Sequence, residues 1–129
     1  MFVPGSKVLQ WKYPQTKGTP PIARYNHTML FYEPRSLLII YGGRNESLYE
    51  ATKTICLNDI RILNLETMCW SQTTLHGDVP QSGRHHHAAT SFGSKMLIFG
   101  GVELGKYAND EIKIIELSTH ILLYFINLI

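Results

Sequence analysis

Internal repetition constrains this sequence more than any other feature, because a repeat fixes the architecture before any single segment is assigned. The run from Trp11 through "GTPPIARYNHTM", "SLLIIYGGR" and "LNDIRILNLETMCW" returns from Trp70 as "GDVPQSGRHHHAA", "KMLIFGGV" and "ANDEIKIIELSTHIL". Trp11 recurs as Trp70, Gly18 as Gly77, Arg24 as Arg84 and His27 as His87; Gly42-Gly43 recurs as Gly100-Gly101, and Asn58-Asp59 as Asn109-Asp110. The separations are 59 for Trp, 60 for Arg and His, 58 for the double glycine and 51 for Asn-Asp. One segment accounts for the drop: 14 residues (Arg44 to Leu57) follow the double glycine in the first unit and 7 (Val102 to Ala108) in the second. The variation therefore belongs to a loop.

Each unit carries strand signals. "HTMLFYE", "LLIIY", "DIRILNL" and "MCWSQTT" are short, rich in Ile, Leu, Tyr and Phe, and punctuated by Pro, Gly, Asn and Ser; "HAATSF", "MLIFG", "EIKIIEL" and "ILLYFI" follow in the second unit. "DEIKIIE" alternates apolar and charged residues as a strand buried on one face does, and no stretch sustains a period of 3.6, so essentially no helix is expected. Four strands per unit with short first and third links describe a four-stranded antiparallel meander, the form of a propeller blade.

A hydrophobic strand ending in Gly-Gly, an Asn-Asp strand after it, a Trp beyond that strand and a "G-x-x-P-x-x-R-x-x-H" lead-in resemble the Kelch repeat of β-propellers. The resemblance covers roughly residues 8 to 122, and two in-register copies make it specific. The lead-in is similar to the longer variety of host-cell-factor-like and Rab9-effector-like proteins; BTB-Kelch ubiquitin-ligase adaptors usually lack it. The resemblance implies an all-β chain, a fragment of a Kelch-type β-propeller with about two four-stranded antiparallel blades and one preceding strand. The expected division of residues 1–129 is an end strand of a preceding blade at 8–17, blade one at 18–74 and blade two at 75–129.

The repeat positions have structural reasons. Gly42, Gly43, Gly100 and Gly101 end strand 2 where the chain turns sharply near other backbone. Trp70 belongs on strand 4, packed between blades, and Trp11 on strand 4 of a preceding blade. Arg24 and Arg84 lead into the strand nearest the axis, where a guanidinium satisfies carbonyls or a carboxylate; Asp59 and Asp110 are the expected partners. His27 and His87 are the repeat's own histidines. The triplet His85, His86 and His87 invites a metal reading, but only His87 is shared with the first unit. On a strand His86 would point away from His85 and His87, and no further ligand stands at suitable spacing. No metal and no cofactor are expected.

Composition adds exclusions. At 129 residues, 44% apolar and 17% charged, the chain has the size and balance of one globular domain. Twelve basic residues against ten acidic, without a basic run, point to neither nucleic acid nor an anionic membrane. Cys56 and Cys69 read as free, buried thiols in a reduced compartment, and the N-terminus lacks a signal-peptide pattern, so a cytoplasmic location is expected. The sequons at Asn26 and Asn45 mean little without export. The apolar "ILLYFINLI" is about half the ~20 residues of a membrane span and reads as a strand. Counting from Trp70 puts Leu122 where Trp is expected, which suggests a product altered soon after Thr119.

No nucleophile elbow, phosphate loop or H-E-x-x-H pattern is present, so the chain is read as no enzyme. Its expected role is a protein-interaction module, scaffold or adaptor; the alternative is a truncated piece of a Kelch-containing enzyme, such as a phosphatase or oxidase. The long 2-to-3 loops share a side with the blade-to-blade links, and insertions gather where repeat proteins bind. The candidates for contact with a protein or peptide are Arg44, Glu46, Tyr49, Glu50 and Lys53 on the first loop, and Glu103, Lys106 and Tyr107 on the second. Since propeller rings hold about four to eight blades, two blades need further blades or self-association to complete one.

Overall fold

The computed structural model describes residues 9–103, 105–107, 112–117 and 123–128. The first sheet contains β1 (Lys17–Gly18), β2 (Thr28–Tyr32), β3 (Leu37–Tyr41), β4 (Ile60–Asn64) and β5 (Cys69–Gln72), and the second β6 (Leu75–Gly77), β8 (Ala88–Phe92), β9 (Lys95–Phe99), β12 (Ile112–Glu116) and β13 (Leu123–Leu128). A small third sheet joins β7 (Arg84–His85), β10 (Val102–Glu103) and β11 (Lys106–Tyr107). Strands β2 to β5 pair antiparallel in chain order, and β8, β9, β12 and β13 repeat the plan. These are the two expected meanders.

Each blade also has a fifth strand. The link entering a blade lies parallel along its outer edge, β1 beside β5 and β6 beside β13. A meander's last strand presents unpaired N–H and C=O groups, and the link satisfies some of them while tying consecutive blades together. Gly18 marks the closest approach: with φ +76, a Cβ there would stand 2.3 Å from the Trp70 carbonyl oxygen.

The core lies between the sheets. Tyr32, Leu37, Ile39, Tyr41 and Ile60 of blade one are buried in one cluster with Met96, Ile98, Ile115 and Leu117 of blade two. Alternation along each strand sends the intervening side chains to the other face. Thus Met29 and Phe31 are exposed on the outer face of blade one, and Phe92, Phe99 and Ile112 on the far face of blade two.

Several expectations need correction. Residues 9–16, expected as part of an end strand, form no strand, and Trp11 is exposed; among the described residues no strand pairs with that segment. Helix is present in the first long loop, where a 3-10 turn at Glu46–Leu48 runs into α1 (Tyr49–Thr52). Cys56 and Cys69 are free but only half-buried.

Sheet register also shifts the repeat alignment. Tyr41 pairs with Ile60 and Phe99 with Ile112, so β12 sits one residue later than the Asn-Asp motif implies. Leu63 pairs with Trp70, and its equivalent Ile115 pairs with Phe125; Gly18 and Gly77 flank these same two positions. The Trp70 slot in blade two is therefore Phe125, and an aromatic residue is retained. Leu122 lies outside the described residues.

Candidate protein-binding face

The repeated arginines brace the end of strand 2 in each blade. Arg24 Nη1 donates to the Gly42 carbonyl at 3.1 Å, and its two Nη groups fork onto Asp59 at 2.6 and 3.0 Å. Arg61 Nε donates to the same carboxylate at 2.8 Å. Burial alone would raise the Asp59 carboxyl, but the hydrogen bonds from Arg24 and Arg61 hold it below the usual carboxylate range. Arg84 repeats the pattern with a different acid. Its Nη1 donates to the Gly100 carbonyl at 2.9 Å and its Nη2 to Glu103 at 2.7 Å, while the Ser82 hydroxyl also bonds Glu103.

The expected Arg84 partner, Asp110, lies outside the described residues. Pairing of β10 with β7 sets Glu103 directly opposite Arg84, which brings the carboxylate to the guanidinium. Glu103, expected among the contact residues, is thereby drawn inward. Burial would raise its carboxyl, and Ser82 and Arg84 hold it down instead.

The first long loop is pinned at both ends. Arg44 bridges to Tyr25 on one side and Cys56 on the other, and Asn45 N donates to the Ile55 carbonyl at 2.8 Å. The Asn45 side chain caps the following turn, accepting from Ser47 N and donating to the Ala23 carbonyl. Arg44 lies 5.7 Å over the Tyr25 ring and pairs with Glu46 at 2.6 Å; Tyr25 donates its hydroxyl to the same carboxylate. That bond raises the Tyr25 hydroxyl and lowers the Glu46 carboxyl. Further along, Lys53 stands 5.5 Å over the exposed Tyr49 ring and 3.5 Å from Glu50. The loop thus presents two aromatic–cation–carboxylate groups on its surface. On the second loop, Lys106 is exposed in β11, with Tyr107 beside it in sequence.

The histidine run is bent rather than extended. His86 has φ 58, as Asn26 has φ 53 at the equivalent position, so the alternation expected of a strand fails between His85 and His87. His85 and His86 meet edge to face with ring centroids 4.8 Å apart, and His86 bonds Asn26 across the blades at 2.9 Å. His87 turns inward, bonding Thr28 at 2.8 Å and packing 5.2 Å from the Tyr41 ring. Among the described residues, no group of three or more His, Cys, Asp or Glu is placed to hold a metal ion.

Tyr25, Asn26, His85 and His86 therefore lie with Arg44 and Glu46 where the two blades meet, and sequence reasoning did not single them out as contact residues. The available signal was the variable pair inside the fixed R-x-x-H lead-in. Two open grooves flank this side. One of about 530 Å³ is lined by Asn58, Asp59, Gln72, Thr73 and Thr74, among others; the other, about 220 Å³, by Thr54, Cys56, Asn58, Gln81 and Ser82. Both lie where blade one meets the link to blade two. Among the described residues, the opposite side carries the tight turns around Glu33–Arg35, Glu66–Met68 and Gly93. No helix among the described residues is long and apolar enough to cross a membrane.

Comparison with known proteins agrees with this architecture. Residues 2–122 match the KLHDC2/KLHL20/DRC7 Kelch-repeats domain. The chain is 37% identical over 102 residues to host cell factor 1 of Rattus norvegicus, covering 76% of this chain and 5% of that protein. It is 31% identical over 100 residues to the Rab9 effector protein with kelch motifs of Xenopus laevis, covering 78% and 26%. It is 41% identical over 95 residues to a probable serine/threonine-protein kinase of Dictyostelium discoideum, covering 72% and 6%. The chain thus spans a small part of these relatives' lengths. Two repeated blades, their arginine-braced double glycines and the match over nearly the whole length place this chain in the Kelch-repeat family.

Proposed function

We propose that this chain is a non-catalytic protein-interaction module, acting as a scaffold or adaptor through its long-loop side. One observation carries the reading: the first long loop is anchored by its backbone yet displays Arg44, Glu46, Tyr49 and Lys53 at its surface, beside the exposed Tyr25 of the lead-in. Tyr and Arg on a rigid frame suit a protein partner, since little side-chain freedom is lost on contact. The neighbouring grooves, lined by Asn, Asp, Gln and Thr, can accept the backbone of an extended peptide. The free thiols at Cys56 and Cys69 support a cytoplasmic setting.

A pull-down in which Tyr49→Ala and Tyr107→Ala are combined should lose at least tenfold in captured partner. Arg44→Ala should weaken capture similarly, whereas Glu66→Ala on the opposite side should not. Undiminished capture by the first two variants refutes the assignment.

A second reading draws on the relative named as a probable kinase. These blades would then be the recognition part of an enzyme whose catalytic part lies elsewhere in a longer chain. A transcript encoding such a domain beside residues 1–129 would favour it.

A further inference from the structure

Alternation along a strand would keep the His85 and His86 rings apart. The left-handed backbone at His86, φ 58, removes that restriction and turns the two rings edge to face. They meet through one atom each: the Nδ1 atoms stand 2.5 Å apart and the ring centroids 4.8 Å, a difference of about two ring radii. Both nitrogens therefore lie close to the line joining the rings, and the direction in which each can donate a lone pair runs along it. Blade one has Tyr25 and Asn26 at these positions, so the pair belongs to blade two alone.

We propose that His85 and His86 hold a copper(I) ion in line between their Nδ1 atoms, with Asn26 of blade one orienting the second ring. Ligand number supports this occupant. Zinc in a closed site takes four tetrahedral ligands, and among the described residues no group of three or more His, Cys, Asp or Glu is placed to hold an ion. A filled-shell monovalent ion is satisfied by two neutral donors on one line, and imidazole is a suitable donor for copper. Local charge acts in the same direction. Burial lowers the His85 imidazole, the Arg44 guanidinium and the His86 ring lower it further, and Glu46 opposes them weakly. His85 is thus a neutral donor at pH 7, and the nearby guanidinium repels a divalent ion more than a monovalent one.

The remaining nitrogen of His86 is already engaged. Its Nε2 stands 2.9 Å from the Asn26 side-chain amide. With the amide oxygen toward the ring, Nε2–H donates to it and Nδ1 keeps its lone pair; an outer partner of this kind fixes the tautomer of a ligating histidine. The proton shared by the two Nδ1 atoms is carried by Nε2 once copper binds, so the ion enters with no net change in bound protons.

Room is made by one ring. A metal–imidazole bond is about 2 Å long, so the two nitrogens must part to roughly 4 Å. His85 is buried, whereas His86 is exposed and can swing outward along the line of the bond. The site stands on the lead-in of blade two and is independent of the loop-side reading above.

The test titrates the full chain with copper(I) under ascorbate and without oxygen, against a bicinchoninate competitor that strips weakly held copper. One copper should be retained per chain, and its X-ray absorption edge should show the strong low-energy feature of a linear two-coordinate ion with nitrogen neighbours. Zinc(II) and nickel(II) at the same concentration should not compete. His86→Asn, which restores the residue of the equivalent position in blade one and tolerates the left-handed backbone, should lose copper with an unchanged circular dichroism spectrum. Asn26→Gly, which keeps its backbone equally at ease, should weaken binding about tenfold. Cys56→Ser combined with Cys69→Ser should bind as tightly as the unsubstituted chain. No retained copper, sulfur among its neighbours, or full affinity in either His86→Asn or Asn26→Gly would each overturn the proposal.

Discussion

The same repeat positions meet opposite fates in the two blades. Tyr32, Tyr41 and Ile60 of blade one are 7%, 0% and 1% exposed, whereas Phe92, Phe99 and Ile112 of blade two are 74%, 51% and 36% exposed. Residue chemistry hardly changes between the two sets. Burial in a repeat protein is therefore a property of the neighbour rather than of the residue, and stability resides in the interfaces between units.

Truncating matched positions should break this comparison most visibly. Tyr41→Ala removes a fully buried ring from between the blades and should cost about 3–5 kcal/mol. Phe99→Ala should cost about 1 kcal/mol, since half the ring is already in water. Denaturant unfolding of both variants measures the difference; equal losses would mean that the blades unfold independently.

Titration sharpens the comparison next. Burial against blade one, with Arg84 nearby, drops the His87 imidazole to about 4. Its folded pKa thus lies below the unfolded value of about 6.5, so the unfolded chain takes up a proton first as pH falls. Stability should decline from about pH 6.5 to about pH 4, by on the order of 3 kcal/mol, and level off below. Asp59, also depressed, adds a further loss as its carboxylate protonates at lower pH. Replacing His87 with Gln should flatten the upper part of the curve, and His27→Gln should flatten it less, because the outer face beside His27 has no blade packed on it. Thermal melts across this range provide the measurement.

Much of this plan was legible in the residues. Strands β2 to β5, β8, β9 and β12 follow from punctuation and apolar runs, and the Arg24–Asp59 pair follows from repeat position. The losses have physical causes. Edge strands β1 and β6 are two and three residues long and form by borrowing another strand's free edge, which leaves no hydrophobic pattern. The bend at His86 was hidden because a histidine run suggests an extended strand, although Asn at the equivalent position 26 favours left-handed backbone. Glu103 was assigned to the surface because its pairing with Arg84 depends on β7, another two-residue strand. Helix α1 is a single turn, below the length at which periodicity can be read.

The smallest expected difference isolates the neighbour itself. Gly42 and Gly100 have φ +65 and +69, so alanine at either pays the same left-handed strain of about 1–2 kcal/mol. Only Gly42→Ala must also displace the Arg84 carbonyl and the His87 ring, at 2.5 and 2.9 Å, which adds roughly 1–3 kcal/mol of overpacking. Subtracting the two losses removes the backbone contribution and leaves the cost of pushing blade two away. Gly100→Ala, with nothing within 4 Å of the added Cβ, should show the strain alone.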